Sequence, residues 1–216
     1  MGMIKAVLFD MDGVLVDSEE FICEAAMAMF KEKGVTVQPD DFLPFVGTGE
    51  NRYIGGVAAK YNVEGDINTM KARTYAIYES ITRGKLQPLE GVVELIAECK
   101  KRGLKTAVAT SADKVKMEIN LREIGLSAET FDATVNGLEV ERKKPSPDIF
   151  IIAAEKLGLK ASECLVVEDA VNGVEAAKAA GAKCLGLTTS FTAEQLNKAD
   201  WIAPTLKYAP IEAISW

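Results

Sequence analysis

The run Val7-Leu8-Phe9-Asp10-Met11-Asp12-Gly13-Val14 constrains this chain more than any other stretch of it. Three apolar residues of strand character end in two carboxylates one residue apart, with glycine immediately after. An unpaired buried carboxylate is expensive, so a buried strand that ends in acid needs something for the acid to bind. Residues at i and i+2 of an extended segment face the same way, so Asp10 and Asp12 leave the strand end on one side. Gly13 lets the chain turn away without a side chain crowding whatever the two acids hold. The pattern predicts an aspartate site that handles metal and phosphate. Its alternative, a pair of turn residues capping the next element, demands nothing of the other strand ends.

Periodicity places that strand over residues 3–9 and a helix over 17–33, with Phe21, Ala25, Ala28 and Met29 on one face and Gly34 as its stop. Two more helical stretches, 50–61 and 66–83, follow without an intervening strand, and 84–88 reads as a connector. After Pro88 the rhythm is regular. Helices over 91–102, 114–124, 147–157 and 170–180 alternate with strands over 105–109, 133–135, 164–167 and 183–187. Such alternation is the signature of βαβ units around a parallel sheet. The expected fold is therefore α/β, a Rossmann-like parallel-sheet core interrupted by an inserted helical cap. The boundaries are 1–16 and 88–216 for the core and 17–87 for the cap.

Histidine is absent, which removes Ser-His-Asp and Cys-His mechanisms, zincin motifs and histidine general bases together. Acid–base chemistry must run on carboxylates, lysine or tyrosine. A net charge of -7 disfavours nucleic acid and anionic membranes as partners. No stretch approaches the roughly 18 apolar residues of a membrane span. Cys23, Cys99, Cys164 and Cys184 are widely spaced and read as reduced core thiols. With no signal-peptide pattern at the N-terminus, a cytoplasmic protein is expected, and nothing demands more than a monomer.

Ligands of open α/β sheets bind at the carboxyl ends of the strands, so the other strand ends should suit Asp10 and Asp12. The strand 105–109 ends in Thr110-Ser111, whose hydroxyls can bind phosphate, cap the following helix, or both. Lys144 sits in a proline-rigid turn before the helix over 147–157. The strand 164–167 ends in Glu168-Asp169, ahead of a helix N-terminus that favours anions. Two like charges ~4 Å apart repel by about 4 kcal/mol at an effective dielectric near 20. Four converging carboxylates therefore call for a divalent cation, and oxygen-only ligands favour Mg²⁺ over Zn²⁺. A carboxylate-bound Mg²⁺, a lysine and a hydroxyl together make a phosphoryl site.

Asp10-Met11-Asp12-Gly13-Val14, Thr110-Ser111, Lys144-Pro145 and Glu168-Asp169, in that order, resemble the four motifs of the haloacid dehalogenase superfamily phosphohydrolases. A helical cap after the first motif is similar to the β-phosphoglucomutase-like branch. The resemblance implies that Asp10 is the nucleophile that forms an aspartyl-phosphate and Asp12 the acid/base. It further implies Mg²⁺ bound by Asp10, the Asp12 carbonyl and Asp169, with Glu168 as a ligand or a residue behind one. Thr110, Ser111 and Lys144 would hold the phosphoryl group. The acid at position 12 disfavours dehalogenation, because phosphotransfer needs a proton donor for its leaving group.

Ile22 stands where the mutase pattern has a histidine, and alignment on Gly47 puts Glu50 in place of its cap-loop arginine, with Arg52 two residues on. The candidate cap residues facing substrate are Glu19, Glu50, Arg52 and Arg73. Gly47-Thr48-Gly49-Glu50-Asn51-Arg52 lacks the third glycine and the preceding strand of a dinucleotide loop. The expected activity is Mg²⁺-dependent hydrolysis of a small phosphorylated metabolite, a sugar phosphate in class. The alternatives are a β-phosphoglucomutase-type isomerase and a non-catalytic phosphate-binding module.

Overall fold

The structure, a computed structural model, describes residues 4–215; Met3 of the expected first strand, and the whole of 1–3 and 216 from the expected core, lie outside them. Strand β1 (Ala6–Phe9) is fully buried and runs through the middle of a six-stranded sheet. The others are β2 (Lys105–Ala109), β3 (Ala133–Val135), β4 (Cys164–Glu168), β5 (Lys183–Leu187) and β6 (Trp201–Ala203). Their spatial order is β3-β2-β1-β4-β5-β6, with every neighbouring pair parallel. Val7 sits opposite Thr106 on one side and Leu165 on the other. The order reverses beside β1, and at that switch point the carboxyl ends of β1, β2 and β4 lie together.

Strand side chains alternate between two cores, as a pleat requires. Val7 and Phe9 of β1 join Val108, Leu165 and Val167 on one face, under helices α4 (Val92–Lys101) and α5 (Lys114–Glu123). Ala6 and Leu8 join Ala107, Ala109 and Val166 on the other, under α6 (Asp148–Lys156) and α7 (Val171–Ala179). Helices on both faces satisfy the near-continuous apolar character of these parallel strands. Cys99, Cys164 and Cys184 are buried free thiols, and Cys23 is half-buried.

Between β1 and α4 the chain is helical: α1 (Glu19–Glu32), α2 (Glu50–Lys60) and α3 (Ile67–Thr82), joined in part by 3₁₀ turns over 39–45. These helices pack around their own apolar cluster of Ile22, Met29, Phe30, Phe42, Ile54 and Tyr78, which reaches α5 through Ile119. Entry and exit are neighbours. Val16 and Pro88 form an antiparallel bridge, and Leu89 N–H donates to Leu15 C=O at 3.0 Å.

Three readings of the sequence are corrected. Helix α1 starts at Glu19 because residues 11–16 make a tight turn, the N–H groups of Val14, Leu15 and Val16 converging on Met11 C=O, and Ser18 takes the N-cap position. Its buried face is Ile22, Ala25, Ala26, Met29 and Phe30, an i, i+3, i+4 stripe that includes the expected Ala25 and Met29, while the expected Phe21 and Ala28 are half-buried. Strand β6, three residues long at the sheet edge, was not foreseen, since so short a run carries no measurable alternation.

Candidate active site

Asp10 leaves the end of β1 with its N–H fixed to Val167 C=O at 3.0 Å, so the backbone ladder to β4 aims its side chain. The Lys144 ammonium, delivered by the turn before α6, donates to Asp10 Oδ1 at 2.6 Å and also to Glu168 Oε1. Glu168 is fully enclosed, and its Oε2 accepts from the N–H groups of Asp169 and Ala170 at 3.1 and 3.2 Å. A Cβ on Gly173 would lie 2.0 Å from the Glu168 carboxyl carbon, so α7 packs directly on this carboxylate.

Asp169 lies close to Asp10 and Glu168, and Ser190 Oγ donates to its Oδ2. One carboxylate oxygen each from Asp10, Glu168 and Asp169 falls within 4.8 Å of the others. Gly13, at φ +75°, leaves room for this cluster: a Cβ there would lie 1.9 Å from Asp169 Oδ2. Burial pushes the Asp10 carboxyl up to about 7 against the opposing pull of Lys144. Burial, with Glu168 and Asp10 nearby, also raises Asp169 well above the ordinary carboxylate range. Burial works against the Lys144 charge, yet Asp10 and Glu168 hold its ammonium above the usual lysine range.

Asp12 faces a different environment. Its Oδ1 accepts from Ser18 Oγ, and its Oδ2 from Lys116 Nζ at 2.9 Å. Lys116, on α5, is 3% exposed and also lies 3.9 Å from Glu19. Burial alone would lower its pKa, but Asp12, Glu19 and Glu50 hold it well above the ordinary value. Ser18 in turn accepts from Asn120 Nδ2 at 3.3 Å, and Asn120 Oδ1 accepts from Tyr78 OH, a chain of bonds running from α3 to the site. Four carboxylates (Asp10, Asp12, Glu168, Asp169) meet two lysines (Lys144, Lys116), an excess of acid that, with burial, favours the protonated forms of Asp10 and Asp169 and that a bound cation would offset. The donor set is all oxygen, pre-clustered and anionic, so it fits a hard dication.

A cavity of about 360 Å³ opens over these groups, lined by Asp10, Asp12, Thr110, Ser111, Lys144, Glu168 and Asp169 on the sheet side. Thr110 is buried at the end of β2, and its Oγ1 accepts from Ala112 N–H at 3.1 Å. Glu19, Ile22 and Glu50 line the helical side. Burial pushes Glu50 up to about 7, with Lys116 opposing and Asp113 adding to the shift. The two arginines of the expected cap set are not there. Arg52 is exposed and outside the cavity lining. Arg73 is exposed and makes a bidentate pair with Glu32 at 2.8 and 2.6 Å, which turns it to the outer face of α3.

Lys116, Ser18 and Ser190 were missed from sequence. The available signal was the pair Lys116 and Asn120, polar residues at i and i+4 on the buried face of α5. Ser190 carried none, because its partner Asp169 lies a helix and a strand away in the chain, across α7 and β5.

A model of the haloacid dehalogenase-like hydrolase family matches residues 7–187. The chain is 46% identical over 201 residues to Protein SUPPRESSOR OF QUENCHING 1, chloroplastic, of Arabidopsis thaliana, covering 92% of this chain and 19% of that protein. It thus spans about a fifth of that relative. It is 30% identical over 178 residues to the phosphorylated carbohydrates phosphatase of Thermotoga maritima, covering 82% of each. Among solved structures, a mutant of CbbY from Rhodobacter sphaeroides in complex with xylulose-(1,5)bisphosphate superposes with a TM-score of 0.86, at 26% identity, over 99% of this chain and 100% of that one.

Proposed function

This chain belongs to the haloacid dehalogenase-like hydrolases, and on that premise we propose that it is a Mg²⁺-dependent phosphatase of a small sugar phosphate or similar monoester, acting through an aspartyl-phosphate. The observation that carries the reading is the division of labour between two carboxylates one residue apart. Asp10 is one of three clustered carboxylates and is bonded to Lys144, whereas Asp12 stands outside that cluster, lines the cavity and is held by Ser18 and Lys116. Two like groups in unlike surroundings suit a nucleophile and an acid/base.

In the first half-reaction an Asp10 oxygen attacks phosphorus in line as the ester P–O bond breaks, and Asp12 gives its proton to the leaving oxygen. In the second, Asp12, now the carboxylate that Ser18 and Lys116 orient, takes a proton from water. The water oxygen then attacks phosphorus and the bond to Asp10 breaks, releasing phosphate. Thr110, Ser111 and Lys144 hold the phosphoryl oxygens throughout. Asp10, Asp169 and the Asp12 carbonyl would hold the Mg²⁺. When bound, that ion offsets the charge of the phosphoryl oxygens against Asp10. Both Glu168 oxygens are engaged by Lys144 and by backbone N–H groups, which supports Glu168 as the residue that positions Lys144.

Residues 17–87 would act as a cap over a core of 1–16 and 88–216, closing the cavity against bulk water. The apolar Ile22 and the acidic Glu50 in the cavity wall support a hydrolase over an isomerase, since neither can grip a bisphosphate intermediate while it turns.

The test is phosphate release from a panel of phosphomonoesters with and without Mg²⁺, for wild type and Asp10→Asn. The panel includes β-glucose 1-phosphate with a trace of the 1,6-bisphosphate, and glucose 6-phosphate formation is followed in parallel. Mg²⁺-dependent release that vanishes in Asp10→Asn is expected. Undiminished activity of that variant, or glucose 6-phosphate outpacing phosphate, overturns the proposal.

A further inference from the structure

Among the described residues, Lys116 and Lys144 are the basic residues that line the cavity, and each is already engaged. Lys144 is shared by Asp10 and Glu168 at the phosphoryl end. Lys116 is held by Asp12 at 2.9 Å with Glu19 at 3.9 Å. The wall facing the phosphoryl end comes from α1 and α2 and presents Glu19, Glu50, Ile22 and Tyr53. Glu50 is 8% exposed at the first position of α2, and its Oε2 accepts from Asp113 N–H at 3.2 Å, which fixes the carboxyl group in that wall. The arginines of α2 and α3 lie elsewhere, Arg52 in solvent and Arg73 paired to Glu32. Lys143 lies next to Gly49 but donates to Gly137 C=O and is not part of the lining, so a second phosphate or a carboxylate on the leaving group would meet a fixed acid and no unengaged cation of the cavity lining. A hydroxyl or ammonium there would meet an acceptor.

We infer that Glu50 determines specificity, selecting monophosphates whose leaving group donates hydrogen bonds and rejecting those that carry a second anionic group. The inference rests on the phosphatase reading and names its substrate class. Rejection follows from desolvation: an anion entering this end loses water and gains no compensating charge.

The test measures kcat/KM, and inhibition of p-nitrophenyl phosphate hydrolysis, for glucose 6-phosphate, glucosamine 6-phosphate, 6-phosphogluconate and fructose 1,6-bisphosphate with Mg²⁺. For wild type, the two monophosphates without a second anion are expected to exceed the other two by at least ~100-fold in kcat/KM, or to bind that much more tightly as inhibitors. Glu50→Lys is expected to narrow or reverse the ratio, raising the bisphosphate and lowering glucosamine 6-phosphate. Glu50→Gln, the variant closest to the native shape, is expected to reduce the preference for glucosamine 6-phosphate over glucose 6-phosphate. Equal handling of mono- and bisphosphates by wild type overturns the inference while leaving the phosphatase reading standing, as does a ratio unmoved in both variants. Failure of wild type to release phosphate from any ester, p-nitrophenyl phosphate included, overturns the underlying reading and the inference with it.

Discussion

Lys71 of α3 and Asp113 at the N-terminus of α5 form a 2.7 Å ion pair whose side chains are 8% and 9% exposed. It is a buried ionic tie between the helical unit and the sheet-bearing core, and Glu50 adds a second bond to the same residue through Asp113 N–H. Removing one partner strands a buried charge, so Lys71→Met is expected to lower stability by about 3 kcal/mol. The double variant Lys71→Met/Asp113→Leu should recover most of that loss, because an apolar pair strands nothing. Urea denaturation of the two singles and the double measures the coupling; additive losses would remove the tie.

Gly13→Ala separates folding from function. The new methyl group would overlap the end of the Asp169 side chain, which can swing aside, so the fold survives with a strain of about 1–3 kcal/mol from the φ of +75°. Asp169 then leaves the cluster. Calorimetry should show Mg²⁺ binding weakened and turnover reduced by roughly 10–100-fold, in a protein whose circular dichroism is unchanged.

Metal-free stability should depend on pH through Asp10. Burial raises its folded pKa to about 7, above the unfolded value, so its contribution is full below the unfolded pKa and disappears as pH rises through about 7. In EDTA, Asp10→Asn should thus gain melting temperature over wild type as pH is raised from 5 to 8. Mg²⁺ should reverse the order at pH 8 by stabilising wild type more than the variant, which has lost one anionic oxygen. A difference that is flat with pH would contradict this.

Lys116 and Ser18 fix the Asp12 carboxylate from two sides. Lys116→Met should lower kcat by ~100-fold or more through misplacement of Asp12, with KM changed only a few-fold because the phosphoryl contacts lie elsewhere. A rise in KM at constant kcat would assign Lys116 to substrate binding instead.

Much of this architecture is legible in the sequence for a physical reason. Strands such as Val7-Leu8-Phe9 and Leu165-Val166-Val167 are buried on both faces, so a charge at the end of either stands out at once. Asp10, Glu168 and Asp169 were visible in that way, and Lys144 through its turn. Lys116 was not, because a lysine on a helix ordinarily reads as solvated, and only its tertiary setting shows that it is enclosed. Arg52 and Arg73 failed for the converse reason. Sequence offered one cation beside a promising loop and another on the following helix, but the rotation of α2 and α3 about their own axes decides which way a side chain points. On α1 the same rotation leaves Phe21 and Ala28 half-buried and encloses Ile22, Ala26 and Phe30 beside the expected Ala25 and Met29.

The pairing of Val16 with Pro88 has an evolutionary consequence. Seventy-odd residues depart from the sheet and return at adjacent points, so their length and sequence can change without altering the spacing of any strand. Replacement of the insert is bounded by the ties that cross it: a substitute must supply partners for Asp113 and Asn120 and a hydroxyl for Asp12, as Lys71, Tyr78 and Ser18 do here.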